Sequence, residues 1–519
     1  MMSGSEAYGP AEWNTDEFEA VFRAPAYDPA TGFTEPDGYA EPTGYAEATS
    51  FADASWFLAN TPYRPPTPRR ADWYDRVDSR LPGTRTEFDW RDRVVVVGAG
   101  AAGLAAADEL RRLGFSGDVT VLGDETPYDR PACSKGVLSG HQKLSDVRLP
   151  ALEAPIDLRL GLRAARLDLR DRSVITEDGQ VFGYDGLVIA TGAAPVVPDG
   201  WPVGEPGLHT LHTLQDAWAI RQELYSAERV AIIGGGLTGC EAACAVRDLA
   251  RDALIIDSKP CLMHRALGET VGALVTRAHQ RAGIRTRLGR RVAEVERRRN
   301  RWRLTLDDGE YVVADLVLLT TGERPDTGWL HGNGLDLADG VLCDANLRVV
   351  GAPGVVAAGV VARWPNLRFA DEPVRCGQWI AAMEQGRAAA GALLAGDRSV
   401  PPFTLLPRFW SQQGDLRIQA CGAIDAQADV ALTRLRPHRR DAARSGLVAT
   451  FYRDGEMTGL VAVNAPHAFT VTTRALLQDI PPDVVPGAHH ATEEPAAVDA
   501  PFPYGDTSQH LGGDVVIVR

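Results

Sequence analysis

Two short glycine-rich segments hold the residues whose types and spacing could do chemistry. Gly98-Ala99-Gly100-Ala101-Ala102-Gly103 follows four valines, Val94–Val97, and opens an Ala/Leu-rich run. Between a strand and a helix, each glycine has its own task. Gly98 permits the tight turn, Gly100 lets the backbone approach a pyrophosphate, and Gly103 lets helix and strand pack closely. The phosphates would face the free N–H groups of the helix start, where the dipole also favours an anion. Asp124 and Glu125, after the next strand, suit a ribose hydroxyl. The pattern recurs at Gly234-Gly235-Gly236-Leu237-Thr238-Gly239, whose acid is Asp257, 21 residues past Gly236. A carboxylate there accepts a hydrogen bond from a free 2′-hydroxyl and repels a 2′-phosphate, which favours NADH over NADPH. Lys259, two positions on, pulls the other way.

Two dinucleotide sites on one chain have a chemical logic. A nicotinamide supplies a hydride pair, and a flavin accepts two electrons and passes them on singly. The residues therefore point to an NADH-oxidising flavoprotein. The glycine patterns alone leave open which site holds which cofactor.

The elements that must position these turns read as strands alternating with helices. Val94–Val97 is a buried-type strand, followed by a helix to about Leu113 and a strand at Val119–Leu122. Leu187–Ala190 and Val317–Thr320 are short apolar strands that end in Thr-Gly, at Thr191-Gly192 and Thr321-Gly322. Arg229–Ile233 opens a second strand, glycine turn, helix and strand, ending at Ile256. The expected fold class is α/β: two Rossmann-like dinucleotide-binding domains, one inserted in the other, plus a small C-terminal α/β domain.

Composition narrows the function classes. The 519 residues carry 54 Lys/Arg against 69 Asp/Glu, a net charge of −15, which argues against nucleic-acid binding. No stretch approaches the run of about 18 apolar residues that a membrane span needs, so none is expected. The opening residues lack the pattern of a signal peptide, and seven scattered cysteines form no CxxC pair. A reduced, cytoplasmic protein is expected. Cys240 and Cys244 share a helix face, but nothing completes a metal site, and no metal is expected. Residues 1–60 hold eleven acids and one Arg among eleven aromatics, broken by Pro and Gly, and read as disordered. Such an arm fits a partner surface in trans or this chain's own Arg285–Arg303 stretch, or else is a solvating tail, which explains the acids but not the aromatics. Arg64–Arg70 reads as a Pro-rich spacer.

Tyr128-Asp129-Arg130-Pro131-Ala132-Cys133-Ser134-Lys135 resembles the PYxRPPLSK segment of the FAD-dependent ferredoxin reductases of oxygenase systems. That group includes putidaredoxin reductase and biphenyl dioxygenase reductase and is related to apoptosis-inducing factor. The resemblance continues through Ala190–Gly192, Gly234–Glu241, Leu262–Ala266, Thr321-Gly322, Trp379 with Gly386, Phe409–Gln413 and Leu416–Gln419. It implies an FAD domain at 91–210 and 315–398, an NAD domain at 211–314, and a C-terminal interface domain at 399–478. Residues 1–90 and the flexible tail 479–519 lie outside it. It implies that Gly98, Gly100 and Gly103 bind FAD and that Gly234, Gly236 and Gly239 bind NADH. Lys135 would lie near flavin N5, with Arg130 and Pro131 lining the flavin and Trp379 close to its ring. Glu241 would contact the nicotinamide carboxamide. The implied activity is electron transfer from NADH through FAD to a small [2Fe-2S] ferredoxin that serves an oxygenase.

The chain departs from the family where the flavin would sit. The family's Gly-Asp pair, whose carboxylate binds the ribityl chain, is here Gly359-Val360. Losing one charge-assisted hydrogen bond costs about 1.5–3 kcal/mol, or about 10- to 100-fold in affinity. The family's Glu two residues before the flavin Trp is Gly377, and Gln412 stands for an acid in the C-terminal part. RPPLSK is RPACSK, which places Cys133 near the flavin edge and raises a redox-thiol alternative. A second alternative follows from Val360 and the arm: a diverged flavoprotein with weak or lost FAD binding, acting as a partner or scaffold.

Overall fold

The computed structural model describes Phe88, residues 91–477 apart from 153, 370–371, 426–427 and 436–445, and residues 515–518. The acidic-aromatic arm, the Pro-rich spacer and most of the tail lie outside the described residues.

Two five-stranded parallel sheets carry the two glycine turns. In the first, the strands run in the order Val355–Ala357, Gly186–Ile189, Arg93–Val97, Asp118–Gly123, Asp157–Leu160. In the second the order is Arg285–Leu288, Asp252–Asp257, Arg229–Ile233, Leu316–Leu319, Leu208–Thr210. Central strands of such sheets are covered on both faces, so their sequences are unbroken apolar runs. Val94–Val97 and Leu316–Leu319 are accordingly buried throughout. The crossing between the sheets is an antiparallel pair, Ala193–Pro195 with Glu323–Pro325.

This arrangement corrects two of the expected boundaries. Leu208–Thr210 and Leu316–Leu319 were expected in the FAD domain, yet both are strands of the second sheet, where Leu316–Leu319 pairs with Arg229–Ile233. A buried four-residue run has no feature that selects one parallel sheet over another. The passage from one sheet to the other therefore occurs at Pro195 and Pro325.

The C-terminal part is a six-stranded antiparallel sheet in the order Arg408–Gln413, Leu416–Gly422, Glu456–Val463, Gly446–Arg453, Asp429–Leu435, Val515–Val518. Helix Pro466–Leu477 packs against it. Val515–Val518 lies in the expected flexible tail, but its β-branched run pairs along Asp429–Leu435 and covers that otherwise open edge. One apolar core surrounds the first sheet. A second runs from Tyr128, Ala132 and Cys133 through the second sheet to Ile418 and Phe451 of the C-terminal sheet. That continuity fixes the segment before Lys135 against both of the other sheets.

Candidate functional site

Each glycine of the two turns has a distinct steric reason. A Cβ on Gly98 would lie 2.1 Å from the Ala190 carbonyl oxygen, and φ there is +112°. At Gly234 the corresponding contact is 2.3 Å to Thr320 O, with φ again +112°. A Cβ on Gly103 would meet Gly98 O at 1.8 Å, and one on Gly239 would meet Gly234 O at 1.9 Å. Gly100 and Gly236 differ from these, because a Cβ on either meets nothing within 4 Å. They cap the helices Ala101–Arg112 and Leu237–Asp248, and neither helix receives a side-chain cap. Each turn thus leaves an open space at a helix N-terminus whose first N–H groups await an anion.

Lys135 and Glu241 form an ion pair at the helix opened by the second turn. Lys135 follows the short helix Arg130–Ser134 and donates from Nζ to Glu241 Oε2 at 2.8 Å and to Pro131 O at 2.9 Å. Glu241, on the helix opened by the second turn, is 3% exposed. Its carboxylate also accepts from Ser134 Oγ at 2.5 Å and from Ser411 Oγ at 2.5 Å. Gln413 Nε2 in turn donates to Ser411 Oγ at 3.0 Å. One buried carboxylate therefore ties together the first domain, the second domain and the C-terminal sheet. Ser134 and Ser411 both fall within the segments that carry the family resemblance, but nothing in their local sequence indicates that they meet.

The remaining expected residues fall into two groups. Trp379 begins helix Trp379–Ala395 and packs with Trp410 around Ala101, Ile380 and Met383. A Cβ on Gly386, two turns along, would lie 2.2 Å from Ala102 O, so this glycine lets the helix press on the one that the first turn opens. Gly359, with φ +81°, donates its N–H to Gln385 Oε1 at 2.6 Å beside the same helix. Thr191 Oγ1 donates to Asp326 O, and Gly192 and Gly322 both have positive φ and open space where a Cβ would stand.

The acids are held by protein groups. Asp257 accepts from Gly235 N at 2.5 Å and from Lys259 N at 2.7 Å. Asp124 pairs with Arg163 at 3.1 Å. Glu125 accepts from Arg130 Nη2 at 2.5 Å and from the Tyr128 hydroxyl at 3.0 Å, and Arg130 Nη1 also donates to His212 O at 2.8 Å. Cys133 is 3% exposed and burial pushes its thiol up to about 12, so it lacks the thiolate that redox chemistry requires. Gln412 caps a turn by donating to Gly414 O. Among the described residues no group of side chains could hold a metal ion, and no helix is long and apolar enough to cross a membrane.

Residues 92–386 match the family described as pyridine nucleotide-disulphide oxidoreductase, and residues 408–493 match the reductase C-terminal family. The ferredoxin–NAD(+) reductase component of the biphenyl dioxygenase system of Paraburkholderia xenovorans is 33% identical over 392 residues, which is 74% of this chain and 92% of that protein. The chain belongs to the pyridine nucleotide-disulphide oxidoreductase family. The ferredoxin–NAD(+) reductase component of the p-cumate 2,3-dioxygenase system of Pseudomonas putida is also 33% identical, over 74% of this chain and 93% of its own length. Among solved structures, the ferredoxin reductase for the CYP199A2 system of Rhodopseudomonas palustris superposes with a TM-score of 0.68 at 28% identity, covering 75% of this chain and 95% of that one. The putidaredoxin reductase–putidaredoxin complex gives 0.67 at 26%, covering 76% and 94%. These relatives are named as reductases, so the reductase reading stands and the scaffold alternative gains nothing.

FAD and NAD(H) are the cofactors of this family, and the residues present fit them. Gly100 and Gly192 leave room where the first domain would hold a dinucleotide, Gly322 leaves room at the crossing between the sheets, and Gly236 does so in the second domain. Trp379 Nε1 and Gln378 Oε1 are buried without a hydrogen-bond partner at the start of their helix, beside the first turn. Buried polar atoms are nearly always satisfied, and a ligand bound at this point would satisfy them.

Proposed function

We infer that this chain is an NADH-dependent FAD reductase that passes electrons to a small [2Fe-2S] ferredoxin serving an oxygenase. The observation that carries the reading is the Lys135–Glu241 pair, which stands where the two nucleotide domains meet. Bound FAD supplies the conversion of a hydride pair into single electrons. The chain's own groups position and neutralise. The open helix start at Gly100 receives the FAD pyrophosphate, and the one at Gly236 receives that of NADH. Lys135 keeps an ammonium where negative charge accumulates on reduction, and the Pro131 carbonyl and Glu241 aim it. Glu241 faces the nicotinamide site from the second helix, and the two serines fix its carboxylate. Trp379 closes one side of the flavin pocket. No residue need act as acid or base for hydride transfer; the work of the protein is orientation.

Purified protein should show the visible absorption of oxidised flavin, lose it anaerobically on adding NADH, and regain it on adding an oxidised [2Fe-2S] ferredoxin that becomes reduced. Protein that stays colourless in excess FAD would overturn the reading.

A further inference from the structure

One acidic side chain at the flavin pocket belongs to none of the expected sets. Glu323 begins the strand Glu323–Pro325 at the crossing between the sheets, directly after Gly322 and opposite Pro195. That strand is held in place by hydrogen bonds from Thr321 Oγ1 to Val196 O at 2.6 Å and from Val196 N to Gly322 O at 2.9 Å. A Cβ built on Gly377 would lie 2.8 Å from Glu323 Oε1 and 3.6 Å from Val360 Cγ2. The Glu323 carboxylate therefore fills the space that a side chain at 377 would occupy, and Val360 borders the same space. Arg375 and Arg130 act on it electrostatically. Each arginine is engaged elsewhere, Arg375 with Asp339 and the Val360 carbonyl, Arg130 with Glu125 and His212 O. Among the described residues Glu323 itself makes no hydrogen bond or ion pair.

We propose that Glu323 is the carboxylate of the flavin pocket in this chain, supplied from the domain crossing in place of the acids missing at Val360 and Gly377, and that it accepts hydrogen bonds from the ribityl hydroxyls of FAD. The proposal rests on the FAD reading and says which residue completes that site. A carboxylate edged by two arginines but bonded to neither retains its acceptor capacity for a hydroxyl donor. Desolvation raises its pKa above the ordinary carboxylate value, and Arg375 and Arg130 act in the opposite direction. A substitution here is not expected to unfold the protein, because the residue is exposed.

The test is a double-mutant cycle read by quenching of FAD fluorescence on titration into flavin-free protein, with circular dichroism as the folding control. Glu323→Gln should weaken FAD by about 10- to 100-fold. Val360→Asp should give no gain in the wild-type background, where two carboxylates would crowd one space, and should tighten FAD about tenfold or more in the Glu323→Gln background. Unchanged affinity in Glu323→Gln, or equal effects of Val360→Asp in both backgrounds, would overturn the assignment while leaving the FAD reading intact. Wild-type protein that binds no FAD would overturn both.

Discussion

The two glycine turns share one backbone plan and diverge at a single pair of positions. Gly98 N donates to Leu122 O and Gly234 N donates to Ile256 O; Ala190 N donates to Val97 O and Thr320 N donates to Ile233 O. The first strand of each sheet also begins alike, with Arg93 held by Asp185 and Arg229 held by Asp315. This register makes Gly123 the counterpart of Asp257, because Leu122 and Ile256 play the same part. The partner position is reversed as well. In the first turn Ala99 faces Gly123, and a Cβ on Gly123 would lie 2.6 Å from the Ala99 Cβ. In the second, Gly235 faces Asp257, whose carboxylate bonds the Gly235 N–H. The acid of the first turn comes two residues later, at Glu125, where the second turn has Lys259. One plan thus sets its carboxylate at two different places, at or just past the end of the second strand.

The largest effects should come from separating the steric glycines from the open ones. Gly103→Ala and Gly239→Ala drive a methyl group into a carbonyl oxygen of the turn, and each should cost more than about 3 kcal/mol. At Gly100 and Gly236 a Cβ meets no atom within 4 Å, so in Gly100→Val and Gly236→Val thermal stability without nucleotide should fall far less than in the alanine variants. Gly100→Val should abolish retention of FAD. Gly236→Val should keep the flavin colour and raise the KM for NADH by about 100-fold. If both open-glycine variants lost FAD equally, the assignment of one turn to each cofactor would fail.

The next effect concerns the Lys135–Glu241 pair. Lys135→Gln removes the ammonium but leaves Glu241 with Ser134 and Ser411. Flavin reduction by NADH should slow by about 10²-fold, a typical loss for one preorganised electrostatic group. Anaerobic stopped flow measures it. A rate within a factor of two of wild type would make Lys135 a structural partner of Glu241 only.

How far this plan was legible depended on whether the cue was local. The turns, their strands and helices, and the second acid could be read because glycine spacing and apolar runs are contiguous. The side to which Leu316–Leu319 belongs could not, since burial on both faces erases the distinction between two parallel sheets. Ser134 and Ser411 meet Glu241 from positions 107 and 170 residues away, and no periodicity encodes that. Glu323 was hidden for another reason. Comparing motif positions exposes the acids missing at 360 and 377 but not a replacement arriving from a different strand. Val515–Val518 was obscured by the Pro-rich residues before it. The Arg285–Arg303 surface looked like a basic patch, but Arg285, Arg287, Arg290, Arg297, Arg298 and Arg301 each pair with an acid. Much of its charge is thereby spent within the fold.

A smaller difference lies in how firmly the first strands are held. Asp315 accepts from Arg229 N, Nε and Nη2, and the side-chain hydrogen bond with Arg229 is the main reason its pKa falls from 3.8 to about 2. Asp185 accepts from Arg93 N and Nε at comparable distances. A depressed carboxylate stabilises the fold above its ordinary pKa, and that contribution disappears as the pH falls through the lowered one. Asp315→Asn should therefore cost about 2 kcal/mol at neutral pH. In urea titrations, the gap between variant and wild type should narrow as the pH falls from about 5 toward 3. A gap that stays constant across that range would mean that the asparagine disturbs packing rather than charge.

The smallest expected effect tests the divergence itself. Asp257 turns one oxygen to Gly235 N and the other to Lys259 N, so its carboxylate stands fixed at the strand end before any ribose arrives. A 2′-hydroxyl can still donate to lone pairs that those two bonds leave free, because an ionised carboxylate accepts about four. A 2′-phosphate in the same place would meet like charge. Asp257→Ser keeps a hydrogen-bonding group near Gly235 N, removes the charge, and leaves Lys259 unopposed. The preference for NADH over NADPH should then shrink by about tenfold, through a weaker interaction with NADH and a gain with NADPH. FAD retention should not change, because the first turn takes its acid from Glu125 and has Gly123 at the corresponding place. The ratio of kcat/KM for the two nucleotides decides the matter: a ratio unaltered by Asp257→Ser would mean that the carboxylate serves only its own turn, and that selectivity resides elsewhere in the second domain.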